Sequence, residues 1–305
     1  MYLLMGLEFA RGHLPYTTVC DLKPFGLFAL ATPFAASPFD PVISSRIGAS
    51  IVVGLTAYLL SRISGLLFDD ERRLIGISAG LGYVVFSLAD GGMAFQGEIF
   101  HTACAVLALL MALRAVRRRM PPHLGTMIAA GLVLGIGIQI KQSVLFDMLA
   151  FLAGFFILTT PSRRDLRRHA LENLPPLTAL ALAASIPTLG VMALYAAAGH
   201  WDAWVAANIT AHSVFYAGDR EWAWHPALWA AAEQAPLWMG AALAAVLVRR
   251  LTFDGRELGA VAFLGVWVIA IILCQLFLRI ASDHYFLQFL PPLCLVTTHP
   301  PGFSR

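Results

Sequence analysis

Only two lysines occur among the 21 basic residues of this chain, Lys23 and Lys141, and each stands where an ammonium group would meet an anion. Lys23 follows Asp21 by two residues near the end of residues 12–24, a run without apolar periodicity that Gly12, Pro15 and Pro24 punctuate as an ordered loop. A compact ammonium beside a membrane suits a phosphate, and Asp21 is a candidate base or orienting partner. Lys141 ends the strongly apolar stretch Gly135-Ile136-Gly137-Ile138-Gln139-Ile140. An ionisable group at mid-helix costs roughly 2.5–3.5 kcal/mol on insertion, so Lys141 reads either as functional or as a lysine snorkelling to an interface. Glu98 and His101 share a helix face through their i,i+3 spacing. They leave open a divalent cation, or a Glu98 that faces a cavity from a first helical turn favoured by the dipole. Arg279, Asp283, His284 and Tyr285 crowd a short segment before Pro291-Pro292, where Arg279 either pairs with Asp283 or joins His284 and the lysines around a phosphate. Asp147, alone in an apolar run, is expected to face an interior, and Asp90 to cap the turn it makes with Gly91-Gly92.

These groups need a scaffold, and composition says which. Apolar residues make up 59% and charged residues 13%, with a mean hydropathy of +0.74. Soluble domains carry about 25% charged residues, so this is a polytopic membrane protein. The net charge of +3 implies no nucleic acid, because the arginines cluster between apolar runs. Of the four cysteines, three lie in apolar runs and Cys20 stands alone in the loop, so no disulfide or metal-type pair is expected. Glycine-rich phosphate loops after a strand, nucleophile elbows and βαβ units are all missing, which excludes a soluble nucleotide-sugar fold.

The expected fold is an all-α polytopic transmembrane bundle of about nine spans, in one domain covering residues 1–305. Residues 1–11 read as an amphipathic helix and not as a signal peptide. Residues 25–36 are apolar but too short to cross, and read as a re-entrant or interfacial helix. Spans are expected at 46–68, 73–89, 99–116, 124–141, 143–160, 174–197, 228–248, 259–280 and 285–298, the last too short to cross. Thirteen of the 21 basic residues fall in alternate loops: Arg72-Arg73, Arg114 with Arg117 to Arg119, Arg163-Arg164 with Arg167-Arg168, and Arg249-Arg250 with Arg256. The positive-inside rule makes that side cytoplasmic. The opposite, outer face then collects residues 1–45 as a catalytic loop with interfacial helices, Asp90 to Glu98, Lys141 to Ser143, Arg279 to Tyr285, and an aromatic loop over 199–227. The tryptophans of that loop suit interfacial anchoring, and leave open a roof over a substrate groove.

The placed residues resemble the GT-C superfamily of membrane glycosyltransferases that take sugars from polyprenyl phosphates, the group containing protein O-mannosyltransferases, aminoarabinose-lipid A transferases and rhizobial galacturonosyltransferases. That family begins its outer face with Asp-Glu-x-x-Tyr, Gly-x-x-Pro-Tyr and Asp/Glu-x-Lys-Pro-Pro. Tyr2, Gly12-His13-Leu14-Pro15-Tyr16 and Asp21-Leu22-Lys23-Pro24 match, with Phe25 in place of the second proline. Glu98 stands where the family has a Glu opening a later span. Gly135 to Gln142 resembles its Gly-x-x-x-x-x-Lys-Gln segment, and His284 to Pro291 its His-Tyr-x-x-x-x-x-Pro segment.

The resemblance implies direct displacement, with inversion, at the anomeric carbon of a polyprenyl-phosphate sugar. Lys23, Lys141, Arg279 and His284 would bind the donor phosphate, while Tyr16, Glu98 and Tyr285 would contact substrate. The acceptor would be a lipid, a glycan or a protein, and the membrane lipid itself a partner. No cofactor is implied. The family's acidic pair and first transmembrane helix would stand upstream of Tyr2, so a chain truncated at both ends is expected, with Asp21 as the nearby carboxylate able to act as base. A bacterial inner (plasma) membrane location, with the active face outward, follows from the same resemblance. Rival readings are a transporter or flippase of lipid-linked sugars, which would show internal repeats or broken helices around a mid-membrane site, a non-catalytic membrane scaffold, and an inactive remnant.

Overall fold

The computed structural model describes residues 1–68, 73–89, 91–118, 122–159, 166–217, 224–250, 255–278 and 283–298, and no strand occurs among them. The chain is therefore the expected all-α bundle. In order, the helices are α1 (Tyr2–Ala10), α2 (Phe25–Ala35), α3 (Pro41–Phe68), α4 (Arg73–Ala89), α5 (Gly97–Arg118), α6 (Leu124–Ile140) and α7 (Val144–Thr159). Then come α8 (Leu166–Ala197), α9 (Trp201–Val205), a π-helical turn (Ala206–Thr210), α10 (Ala211–Ala217), α11 (Trp224–Glu233), α12 (Ala235–Arg250) and α13 (Gly255–Leu278). A 3₁₀ turn (Asp283–Phe289) leads into α14 (Leu290–Thr297). Among the described residues, Pro41–Phe68, Gly97–Arg117, Ala170–Ala197 and Glu257–Phe277 are long and apolar enough to cross a bilayer. Shorter apolar helices, including α2, α6 and α7, complete the bundle.

Three segments depart from the expected layout; the run 285–298 is the end of the 3₁₀ turn followed by the eight residues of α14, because Pro291 and Pro292 start a new helix instead of continuing one. The run 228–248 is not one helix but breaks at Gln234, between α11 and α12. Pro236 explains the break: it has no N–H, and its ring would meet the carbonyl one turn earlier. The Gln234 carbonyl instead accepts from the amides of Leu237 and Trp238, starting a new helix. The segment expected as an aromatic loop is helical over 201–217.

Small residues set the closest helix pairs. A methyl group at Gly131 or Gly135 of α6 would overlap the carbonyls of Leu180 and Ala184 on α8. Gly76 and Gly80 of α4 stand in the same relation to Ser61 and Ala57 on α3. Glycines four apart lie on one face, where they let backbones approach without a hydrophobic driving force between helices.

A main core, with Leu60, Ile63, Tyr83, Phe263 and Trp267 among its members, fills the space between α3 to α7 and α12 to α14. A second, smaller core joins Met5, Tyr16, Phe28, Tyr195, Trp204 and Ala207. It lies beneath the loop of residues 12–24, which accordingly has a packed floor of its own.

Candidate functional site

The loop starts where α1 stops. Gly12 adopts φ +91°, and the amides of Gly12 and His13 donate to the carbonyls of Phe9 and Glu8, a Schellman ending that glycine makes without strain. Tyr16 then takes φ +70°, a left-handed conformation that costs a non-glycine residue of order 1 kcal/mol. Its burial overdetermines it. The ring packs edge-on to Phe28 and against Tyr195, both at 5.8 Å between centroids. Its hydroxyl donates to the Lys23 carbonyl at 2.7 Å. Burial raises the phenol well above its ordinary value, so it remains a donor across the physiological range. A second hydroxyl, that of fully buried Tyr195 at the end of α8, donates to the Pro15 carbonyl at 2.8 Å. Asp21 Oδ1 accepts from the Lys23 amide at 3.0 Å. Tyr16 and Asp21 thus hold the carbonyl and amide of Lys23, while Tyr195 holds the loop at Pro15, next to Tyr16.

The wall facing this loop comes from antiparallel neighbours. Glu98 sits in the first turn of α5 and Lys141 caps the end of α6, so each charge lies at the helix end whose dipole favours it. The start of α5 meets the end of α6, and Lys141 Nζ donates to Glu98 Oε1 in an ion pair whose members are only 6% and 3% exposed. His284 Nε2 lies 3.6 Å from the same Glu98 oxygen. Lys141 Nζ also stands 3.5 Å from the centroid of the Tyr285 ring, and Lys23 Nζ 5.9 Å from it. One ring is therefore shared by both lysines, and the two ammoniums cannot be farther apart than those distances combined.

Three buried glutamines hold the turn that carries His284 and Tyr285. Gln275 of α13 donates to the Tyr285 carbonyl at 3.4 Å, and Gln234, at the break before α12, donates to the Phe286 carbonyl at 3.0 Å. Gln288, on the turn itself, donates to Ser143 Oγ at 3.1 Å. In a bilayer an unmatched carbonyl costs several kcal/mol, which is why an irregular turn is found only where side chains satisfy it.

Lys23, Asp21, Glu98, Lys141, His284 and Tyr285 thus belong to one end of the bundle, although the chain supplies them from four separate regions. The Lys23 ammonium has no ion pair or hydrogen bond among the described residues and lies near the Tyr285 ring. Tyr16 is buried and spends its hydroxyl on the loop backbone. Arg279 and Asp90 lie outside the described residues, as do several of the arginines that set the expected orientation. His101 Nδ1 is 3.0 Å from the Gly97 carbonyl, and no group of three or more potential metal ligands occurs among the described residues. Deeper in the bundle, Asp147 faces the interior and accepts a 2.6 Å hydrogen bond from Trp267 Nε1, tying α7 to α13. Sequence reasoning missed Tyr195 and the three glutamines. Their only signal is polar atoms at the ends of apolar runs.

A family model described as dolichyl-phosphate-mannose-protein mannosyltransferase matches residues 24–191, more than half of the chain. The chain belongs to this family, and so to the GT-C superfamily. The match begins at Pro24, directly after Lys23, and takes in Glu98 and Lys141. The bundle is similar to the oligosaccharyltransferase of Archaeoglobus fulgidus tethered to an acceptor peptide containing the NVT sequon, with a TM-score of 0.58 and 12% identity. The apo form of that protein gives 0.53 and 14%. Each comparison covers 97% of this chain but 44% and 45% of the solved one, so this chain spans less than half their length. At such identity the likeness concerns the fold. No curated protein matches the sequence.

Proposed function

We propose that this mannosyltransferase-family chain acts as a membrane glycosyltransferase, moving a sugar from a polyprenyl-phosphate donor to a hydroxyl on a lipid, glycan or protein acceptor at the extracytoplasmic face. The observation that carries the reading is Lys23: an ammonium without an ionic partner among the described residues, on a backbone pinned at Pro15, Asp21 and Lys23 itself, above the ring that also receives Lys141. Preorganised cations of this kind act where charge develops in a transition state.

In the reaction, the acceptor oxygen forms a bond to the anomeric carbon as the bond from that carbon to the phosphate oxygen breaks. The electron pair leaves with the lipid phosphate, where Lys23 meets the growing charge. Lys141, held by Glu98, adds its field beside the Tyr285 ring, and His284 completes the phosphate side. Asp21 takes the acceptor proton. The helical segment over 201–217 borders the acceptor side, since Trp204 and Ala207 pack with Tyr16 beneath the loop. The setting is a bacterial inner membrane.

The test is turnover of a radiolabelled polyprenyl-phosphate sugar by protein reconstituted in liposomes. Lys23→Ala should lower turnover by about 10²-fold or more with an unchanged unfolding temperature. Wild-type turnover in that variant would overturn the reading. Asp21→Asn should cost about 10²–10⁴-fold, the usual worth of a general base.

A further inference from the structure

The start of α3 carries a basic group that the site does not use. Arg46 stands in the second turn of this helix, whose far end receives Arg117 at the Leu66 carbonyl. The arginine clusters fall in the connections at that far end, so charge asymmetry does not call for an arginine here. Arg46 is exposed and has no ion pair among the described residues. Asp40, the nearest carboxylate along the chain, is spent on capping α3: its Oδ1 accepts from the amides of Val42 and Ile43 at 2.9 Å each. Beside Arg46 opens a groove of about 420 Å³, lined by Ile43, Ile47, Ser50 and Ile51 of α3 and by Met93. Ser50 turns its hydroxyl to the Arg46 carbonyl, which leaves the arginine as the one charged group on an apolar wall. That wall is braced. Met93 belongs to a turn in which the Gly92 amide donates to the Ser87 carbonyl at 2.7 Å and the Ala94 amide to the Gly91 carbonyl at 2.9 Å. Phe95 of the same turn packs on Phe34 of α2 and Phe100 of α5, at 5.5 and 4.8 Å between centroids. Phe34 lies so close over Gly48 that a methyl group there would overlap its ring, so α2, α3 and the turn form one packed unit. Asp90, which precedes this turn, lies outside the described residues.

We propose that this groove binds an anionic phospholipid of the surrounding bilayer, with the lipid phosphate on Arg46 and an acyl chain lying along Ile47 and Ile51 against Met93. Pro41–Phe68 is long and apolar enough to cross, so its exposed face is covered by lipid. A guanidinium near the end of such a helix meets the headgroup layer, where its planar fork matches two phosphate oxygens. Charge selects among the lipids present. An arginine without a carboxylate partner favours a headgroup with net negative charge, whereas a zwitterionic headgroup brings an ammonium of its own to the same place. The apolar wall suits a chain and offers nothing to a soluble anion. The inference does not rest on the transferase reading, since it concerns α3 and the turn at Met93 and needs no turnover.

The experiment is native mass spectrometry of the full chain released from nanodiscs containing phosphatidylglycerol and phosphatidylcholine in equal parts. Wild-type protein should retain phosphatidylglycerol over phosphatidylcholine by roughly tenfold or more, the worth of one charge-assisted contact. Arg46→Gln should abolish that preference. Ser50→Phe, which keeps the arginine and fills the groove, should lower retention of phosphatidylglycerol as well. Both positions are exposed, so both variants should elute as monodisperse protein, and either one carries the test if the other fails to fold. Equal retention of the two lipids by wild-type protein would mean general bilayer contact only, and overturns the proposal. A preference that survives Arg46→Gln also overturns it, because the anion then sits elsewhere. Competition separates the remaining occupants. Excess glycerol phosphate should leave the lipid bound, and displacement would mean a free-phosphate site in which the apolar wall plays no part. Displacement of the Arg46-dependent lipid by farnesyl phosphate would assign the groove to a prenyl chain instead, and so defeats the proposal.

Discussion

At the level of single residues, Tyr195 is the sharpest case of a group that acts through another. Its hydroxyl reaches the Pro15 carbonyl, and beyond Pro15 stands Tyr16, whose hydroxyl reaches the carbonyl of Lys23. Tyr195→Phe removes one oxygen and keeps the ring contacts with Tyr16 and Phe25. The loss of one hydrogen bond should cost about 1 kcal/mol of stability. Turnover should fall more than that figure implies, because a displaced Lys23 no longer meets the leaving phosphate. A several-fold rise in KM for the donor, with a small fall in unfolding temperature, is the expected split; a change confined to unfolding temperature would leave Tyr195 a packing residue. Neither tyrosine contact was legible in the sequence. The scarcity of lysine singles out Lys23 and Lys141, but a hydroxyl that binds a backbone carbonyl 180 residues away leaves no spacing to read.

At the level of elements, the sequence was informative wherever one physical rule dominated. Apolar runs long enough to cross gave α3, α5, α8 and α13, and Gly12 and Pro24 marked the ends of the loop. It was less informative where a local rule competed with a run: Pro236 splits a stretch that hydropathy joins, and the tryptophans of 201–217 hid a helical segment behind the look of an interfacial loop. The Gly131 and Gly135 face of α6 has its own prediction. Substituting Val at Gly135 sets a branched side chain against the Ala184 carbonyl and the Pro187 ring, where a single methyl already overlaps. Overpacking of this kind costs typically about 1–3 kcal/mol. Since α6 carries Lys141 at its end, Gly135→Val should lower both the monodisperse yield in size-exclusion chromatography and the affinity for a lipid phosphate. The same substitution at Gly54, where no atom approaches the added carbon, should alter neither.

For the whole molecule, the decisive question is which side of the membrane the site faces, and the chain contains its own reporter. The lysines, the loop and the turn before α14 gather at one end of the bundle. At the other end, Arg117 in the last turn of α5 donates to the Leu66 carbonyl near the end of α3. The charge asymmetry read from the sequence predicts that this second end faces the cytoplasm and the site faces outward, and Cys20 tests that expectation. Of the four cysteines, Cys20 on the loop is exposed, Cys104 is half-buried, and Cys274 and Cys294 are buried in the bundle. A membrane-impermeant maleimide added to intact spheroplasts should therefore label the native protein at one thiol, and Cys20→Ser should abolish the labelling. Labelling that appears only after permeabilisation would put Lys23 on the cytoplasmic side. The donor would then have to present its sugar there, and the arginine-bearing connections would face outward against the usual charge asymmetry.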